Sequence, residues 1–308
     1  MSWIKKFYVY KIIFVFYKII LSSFFLGLSK IRYFFGKELY RSSRVTTVRK
    51  SEGGIFNLYK GKRPDYKVLE GSFDSAVLSL YKNMIGNGWV VVDVGANIGL
   101  HTVCMSKLVG DNGKVYSVEP VDYNLIKLNA NLHLNNCQNV SVIDCVIGNN
   151  VRDEVTIYKV KEKDGRLDNS SVANNINIKK LRDNGVIEEV QVKQITIDSL
   201  ASFSGEKINL IKIDVEGYEI EALKGALETI KTHRPILIIE VNPKRLLDLS
   251  VDISEYTSII CNYYDCYEIL NPNIYEDNFS LEPLLKFEEK KISSDVLCIP
   301  KIKIDIFD

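Results

Sequence analysis

The sequence predicts an α/β fold built on a doubly wound, mostly parallel sheet with late antiparallel strands. Three observations predict it. Residues 90–99, VVVDVGANIG, are an apolar β-branched run that breaks into a glycine turn, as in a parallel strand buried on both faces. Residues 114–120, KVYSVEP, are a second strand that ends in an acid, Glu119. Further apolar runs at 210–215 (LIKIDV) and 235–241 (PILIIEV) alternate with helical stretches, the pattern of βαβ units.

The elements follow in order. Eleven Lys or Arg stand against one acid, Glu38, in residues 1–50, so a chain of net charge +1 combines a basic start with a body of net −9. Within residues 1–40, Lys11, Lys18, Ser22 and Ser29 fall within about 20° of one line on a helical wheel. The rest of that circumference is Phe, Ile, Leu, Val and Tyr. Such a helix suits the plane of a membrane surface, with its lysines reaching lipid phosphates, better than a single span. The expectation is a cytoplasmic protein associated with a membrane through residues 1–40. An acidic body excludes nucleic acid as the main partner.

Residues 41–69 read as a polar connector with a short extended stretch, and residues 70–308 as one domain. Ser72 or Asp74 caps a helix that Gly86 or Gly88 ends. Strands are expected at 90–94, 115–118 and 140–146, with helices at 98–108 and 123–134 between them. Residues 155–160 and 190–197 look like an antiparallel pair around a polar loop, 161–188, and are expected to close the sheet at an edge. Strands at 210–215, 235–241, 266–270 and 296–300 follow, with helices at 218–231 and near 254–264. The six cysteines form no CxxC pair and the three histidines share no ligand spacing, so no metal site is expected.

The strand, glycine turn, helix, strand and terminal acid are how a βαβ unit holds a nucleoside, the acid accepting from ribose hydroxyls. A dinucleotide wants G-x-G-x-x-G, and Gly95-Ala-Asn-Ile-Gly99 lacks the middle glycine. That disfavours a pyrophosphate and suits S-adenosylmethionine. The expected cofactor residues are Asp93, Gly95, Asn97, Gly99, Glu119 and Pro120, with Asp144 receiving the adenine amino group beside the Cys145 backbone.

DVGANIG, the VEP after the second strand, IKIDVEGYE at 211–219 and HRPILIIEVN at 233–242, in that order, resemble the FkbM family of S-adenosylmethionine-dependent methyltransferases. The resemblance covers roughly residues 70–242. It implies a class I methyltransferase (Rossmann-like) fold and transfer of a methyl group to a hydroxyl, often of a sugar. The chain departs from the usual pattern at Leu100-His101, commonly aromatic in the family.

Asp214 should end the fourth parallel strand, with Glu216 in the turn after it and Glu240 ending the neighbouring strand, so three carboxylates converge beside the expected sulfonium. One of them can take the proton of an acceptor hydroxyl as the new bond forms. Lys212, two residues before Asp214, shares its strand face and offsets part of the charge or holds the acceptor. Glu216 as a helix-dipole partner and Asp214 as an N-cap are the structural alternatives. The expected partners are a glycan or other hydroxyl-bearing acceptor and a membrane surface. Two other classes are a nicotinamide-dependent oxidoreductase and a non-catalytic membrane adaptor that keeps the fold.

Overall fold

The computed structural model describes residues 45–49, 54–59, 74–160, 187–270 and 279–301. The expected N-terminal helix and nearly all of the 161–188 loop lie outside the described residues. No helix among the described residues is long and apolar enough to cross a membrane.

The chain runs β1 (Val45–Arg49), β2 (Ile55–Tyr59), α1 (Ser75–Met84), β3 (Val90–Val94), α2 (Leu100–Val109), β4 (Lys114–Val118), α3 (Asp122–Leu134), β5 (Val140–Ile143), β6 (Val146–Ile147), β7 (Arg152–Val160), β8 (Ile187–Ile195), α4 (Ile197–Ser204), β9 (Ile208–Ile213), α5 (Glu219–Lys224), α6 (Leu227–Thr232), β10 (Ile236–Val241), α7 (Pro243–Asp248), α8 (Ser254–Ile260), β11 (Tyr264–Leu270), β12 (Ser280–Leu284) and β13 (Ser294–Pro300). Eight strands form the main sheet in the order β12-β11-β13-β10-β9-β3-β4-β5. The five strands from β10 to β5 are parallel, and β13 enters antiparallel between β10 and β11. Chain order reverses between β3 and β9, which makes the crevice above their carboxyl ends the switch point where such sheets take ligands.

Both faces are covered. Val91, Leu210, Ile238 and Leu297 point to one side and pack with α1, α2 and Leu128 of α3. Val92, Ile211, Ile239 and Val296 point to the other and pack with α4, α5, α7 and α8. The full burial of β3 on both sides explains its unbroken β-branched run.

The sequence expectation and the structure part in five places. The hairpin of β7 and β8 does not close the main sheet; it forms a second, three-stranded sheet with β6. The strand expected at 140–146 therefore divides: β5 stays in the main sheet, and Val146–Ile147 pairs with β8. The helix expected over 218–231 divides at Gly225, where a Cβ would stand 2.0 Å from the Gly148 carbonyl oxygen. The freed amides at the start of α6 are capped from α4, Asp198 accepting from the backbone of Glu228 and Thr229. Part of the connector forms the antiparallel β1–β2 hairpin, pinned to α3 because Ile55 N–H donates to Asn135 Oδ1 and Asn135 Nδ2 donates back to the Ile55 carbonyl. Finally, β12 extends the edge beyond β11, in a stretch whose Pro283 and mixed pattern gave no strand signal.

Candidate active site

Four backbone donors of the glycine turn after β3 are already engaged. Gly95 and Ala96 N–H both donate to the Val118 carbonyl, Gly99 N–H donates to that of Ala96, and Asn97 N–H donates to Glu119 Oε2 at 2.9 Å. A carboxylate from β4 thus occupies a donor that a dinucleotide's pyrophosphate would need. Gly95, at φ +84°, is required by tertiary contact: a Cβ there would lie 1.9 Å from the Asp214 carbonyl oxygen. Gly99, at φ +88°, faces the Leu128 side chain at 2.5 Å in the same sense. The two glycines let β9 and α3 close on the turn, while the sequence had assigned that space to the ligand.

Glu119 is buried and also accepts from Val121 N–H and Asn124 Nδ2 at Oε1. Burial pushes its carboxyl up to about 7 against those hydrogen bonds. Oε2 keeps one lone-pair direction open for a hydroxyl. Asp93 is 0% exposed. Its Oδ2 accepts from Thr102 Oγ1 at 2.6 Å, and Thr102 is in turn 3.0 Å from Ser117 Oγ. Its Oδ1 is buried without a partner, which is costly unless a ligand donor completes it. Asp144 lies exposed just past β5, with Cys145 buried beside it. Pro120 is half-buried in the turn after Glu119.

The second half of the site is a row of carboxylates across three strands. Ile213 pairs with Ile239 and Glu240 with Asp295, so Asp214, Glu240 and Asp295 stand side by side at the ends of β9, β10 and β13. One step below lies Lys212, 1% exposed, donating to Asp214 Oδ2 at 2.9 Å and sitting directly across from Asp93. Burial alone would lower the Lys212 ammonium. The carboxylates of Asp214, Asp93, Asp295 and Asp74 outweigh it and hold the group well above its ordinary range. Burial, followed by Asp214, Glu219 and Asp295, pushes Glu240 up to about 9. Asp295 rises to about 7 through burial and the nearby Asp74.

The turn between β9 and α5 is held by Glu219, whose Oε1 accepts from Val215 and Gly217 N–H. Burial raises that carboxyl to about 7. Asp214 is not an N-cap, since α5 begins five residues later behind Tyr218. Glu216 takes a left-handed conformation, φ +58°, and pairs with Arg245 of α7. The structure therefore brings Lys212, Asp214 and Glu240 together and turns Glu216 away from them. Beyond that turn lies an open polar cleft of about 540 Å³, whose walls include Arg152, Thr156 and Tyr158 of β7, Gln191 of β8, Tyr218 and Glu221.

Residues 93–276 match the family model described as the methyltransferase FkbM domain. The chain belongs to the FkbM methyltransferase family. A curated relative, "Methyltransferase 1" of Beauveria bassiana (strain ARSEF 2860), is 28% identical over 151 residues, which is 44% of this chain and 57% of that protein. The chain thus spans little more than half of that relative's length. Among solved structures, methyltransferase FkbM from Methylobacillus flagellatus KT is similar at 19% identity and a TM-score of 0.43, over 73% of this chain and 47% of that one. An O-methyltransferase from Bacillus cereus in complex with SAH is similar at 11% identity and a TM-score of 0.39, over 74% of this chain and 80% of that one. At these values the family assignment rests on the domain match.

An adenosyl amino acid fits the residues of this FkbM domain. Glu119 would offer an acceptor to ribose, Asp144 an exposed carboxylate to the adenine amino group, and the unpartnered Asp93 Oδ1 an acceptor to an ammonium. Three residues that sequence reasoning passed over complete the site. Asp295 comes from the antiparallel β13, outside any motif. His101 is buried, with Nδ1 3.1 Å from Tyr81 Oη and Nε2 3.0 Å from Asp74 Oδ2. Asp74 stands at the N-cap of α1 as expected, but its side chain makes no cap hydrogen bond and its φ is +47°. The departure at Leu100-His101 from the family's aromatic pattern was the one signal that pointed there.

Proposed function

We propose that this FkbM-family protein is an S-adenosylmethionine-dependent O-methyltransferase that acts on a hydroxyl of a sugar, in a glycan or glycolipid at a membrane surface. The reading is carried by one juxtaposition: a glycine turn whose Asn97 amide is already taken by Glu119 lies against Asp214, the first of three adjoining carboxylates. The bound cofactor supplies an electrophilic methyl carbon whose transfer needs an in-line oxygen nucleophile. Asp93, Glu119 and Asp144 bind its polar groups. Asp214, held by Lys212 and half-exposed, is the base that takes the acceptor's hydroxyl proton. Glu240, on the next strand beside Asp214, stays protonated at neutral pH in the ligand-free site.

The glycan half of the reading is supported by the cleft beyond the Gly217–Tyr218 turn. Its guanidinium, two carboxylates, amide and two phenols suit a polyhydroxylated ring better than an apolar chain. The membrane half is supported by the narrow polar stripe of residues 1–40. Labelled-methyl transfer into fractionated membrane lipids and glycans, with and without the protein, tests both. Label is expected in a sugar-bearing fraction; label confined to protein or nucleic acid would overturn the acceptor class. Asp214→Asn should lower transfer by at least about 100-fold while leaving cofactor affinity within a few-fold; full activity would refute the base. Deleting residues 1–40 should abolish partitioning onto anionic vesicles, and equal partitioning of both forms would refute the membrane reading.

A further inference from the structure

The transfer site contains far more acid than base. Asp214 and Lys212 reach it from β9, Asp93 from β3, Glu240 from β10 and Asp295 from β13. Asp74 and Tyr81 face it from α1, His101 and Cys104 from α2, and Glu219 and Tyr256 from α5 and α8. Lys212 is the buried ammonium among them, and it is bonded to Asp214. Lys290, on the far side of Asp295, is engaged by Glu268. Glu240 stands between two carboxylates and accepts from Ser293 Oγ at 3.5 Å; no cation is bonded to it among the described residues. A carboxyl so placed keeps its proton until a positive charge arrives.

We propose that Glu240 is the residue by which this site distinguishes the sulfonium cofactor from its thioether product, releasing a proton to solvent when the sulfonium binds and keeping it when the thioether binds. The inference rests on the cofactor occupying the crevice between β3 and β9. S-adenosylmethionine and S-adenosylhomocysteine share adenosine and amino-acid ends and differ by a methyl group and one positive charge at sulfur. Asp214 adjoins the Gly95 turn, and Glu240 is one strand further, about 5 Å away by strand spacing. In a half-buried site, a cation held beside Asp214 favours ionised Glu240. Raised ambient pH then tightens the sulfonium form relative to the thioether, by up to about tenfold per pH unit while Glu240 is protonated in the free site. After transfer the charge is gone, Glu240 takes a proton back, and the product is held less tightly.

The test is calorimetry of the full chain with each of the two compounds, in phosphate and in Tris at pH 7.5 and 8.5, on wild type and Glu240→Gln. The dependence of the heat on buffer ionisation counts protons, and the ligands' own ionisations cancel between the two proteins. Wild type is expected to release about one more proton with S-adenosylmethionine than with S-adenosylhomocysteine, relative to the difference in Glu240→Gln. The affinity ratio should also depend on pH more steeply in wild type. Asp295→Asn provides a second variant: removing that neighbour eases ionisation of Glu240 in the free site, so the extra release should shrink at pH 8.5. The same proton difference in all three proteins would overturn the proposal while leaving the methyltransferase reading intact. Failure of wild type to bind either compound would overturn both.

Discussion

Replacing Lys212 with methionine tests the electrostatic organisation of the site most directly. The side chain is 1% exposed and its ammonium lies 2.9 Å from Asp214, so the substitution preserves the stem and removes the charge. At an effective dielectric constant near 20 the lost attraction is about 6 kcal/mol. Part of that is returned because the lysine no longer has to be desolvated, and breaking one side of a buried pair typically costs about 3–5 kcal/mol. The deficit should depend on pH. Without the cation, the folded-state values of Glu240 and Asp295, which Lys212 holds down, move further up, whereas the unfolded chain keeps ordinary carboxylates. A group raised in the folded state lends stability below its unfolded value and loses it as pH rises through the folded one. Lys212→Met should therefore be close to wild type near pH 5 and about 4 kcal/mol less stable near pH 8. Urea unfolding of both proteins at the two pH values measures this directly. A deficit of equal size at both pH values would refute the electrostatic account and leave only a packing defect.

Two further predictions follow from the same geometry. Gly95→Ala combines a left-handed backbone, costing about 1–2 kcal/mol, with a Cβ that must displace the Asp214 carbonyl. A loss of at least about 3 kcal/mol, or some 6–12 °C in Tm, is expected by thermal unfolding together with weakened S-adenosylhomocysteine binding; an unchanged Tm would show that the β3–β9 contact is looser than described. In the ligand-free protein, burial lifts Glu119, Glu219 and Asp295 to about 7, above their unfolded values. Their contribution is intact near pH 4 and is lost as pH rises through about 7, so Tm should fall between pH 6 and 8.5. Glu119→Gln should flatten part of that fall; a fall of the same size in the variant would remove Glu119 from the account.

Much of this was legible in the chain because it is local. A strand buried on both faces must be apolar throughout, a turn with positive φ at two positions asks for glycine, and an acid at the end of the next strand lies beside that turn by topology. Asp93, Gly95, Asn97, Gly99 and Glu119 therefore fall within one βαβ unit. Lys212 and Asp214 were likewise readable together, since alternate residues of a strand share a face. The glycines were read for the right conformation but for another reason: their missing Cβ atoms accommodate Asp214 and Leu128, contacts that span different elements.

What the sequence by itself determined is the family, the sheet's parallel core and the meeting of Asp93, Gly95 and Glu119 at one turn, all carried by short spacings and strand period. Only the tertiary structure decided which carboxylates surround the reacting end. Asp295 arrives on an antiparallel strand more than fifty residues after Glu240 and meets it through register. Asp74 reaches His101 because α1 lies against α2. Glu216, itself a motif residue, is paired with Arg245 on a different helix. The physical reason is the same in each case: pairing between distant strands and packing between helices set these neighbours, and neither leaves a periodic or local trace in the chain.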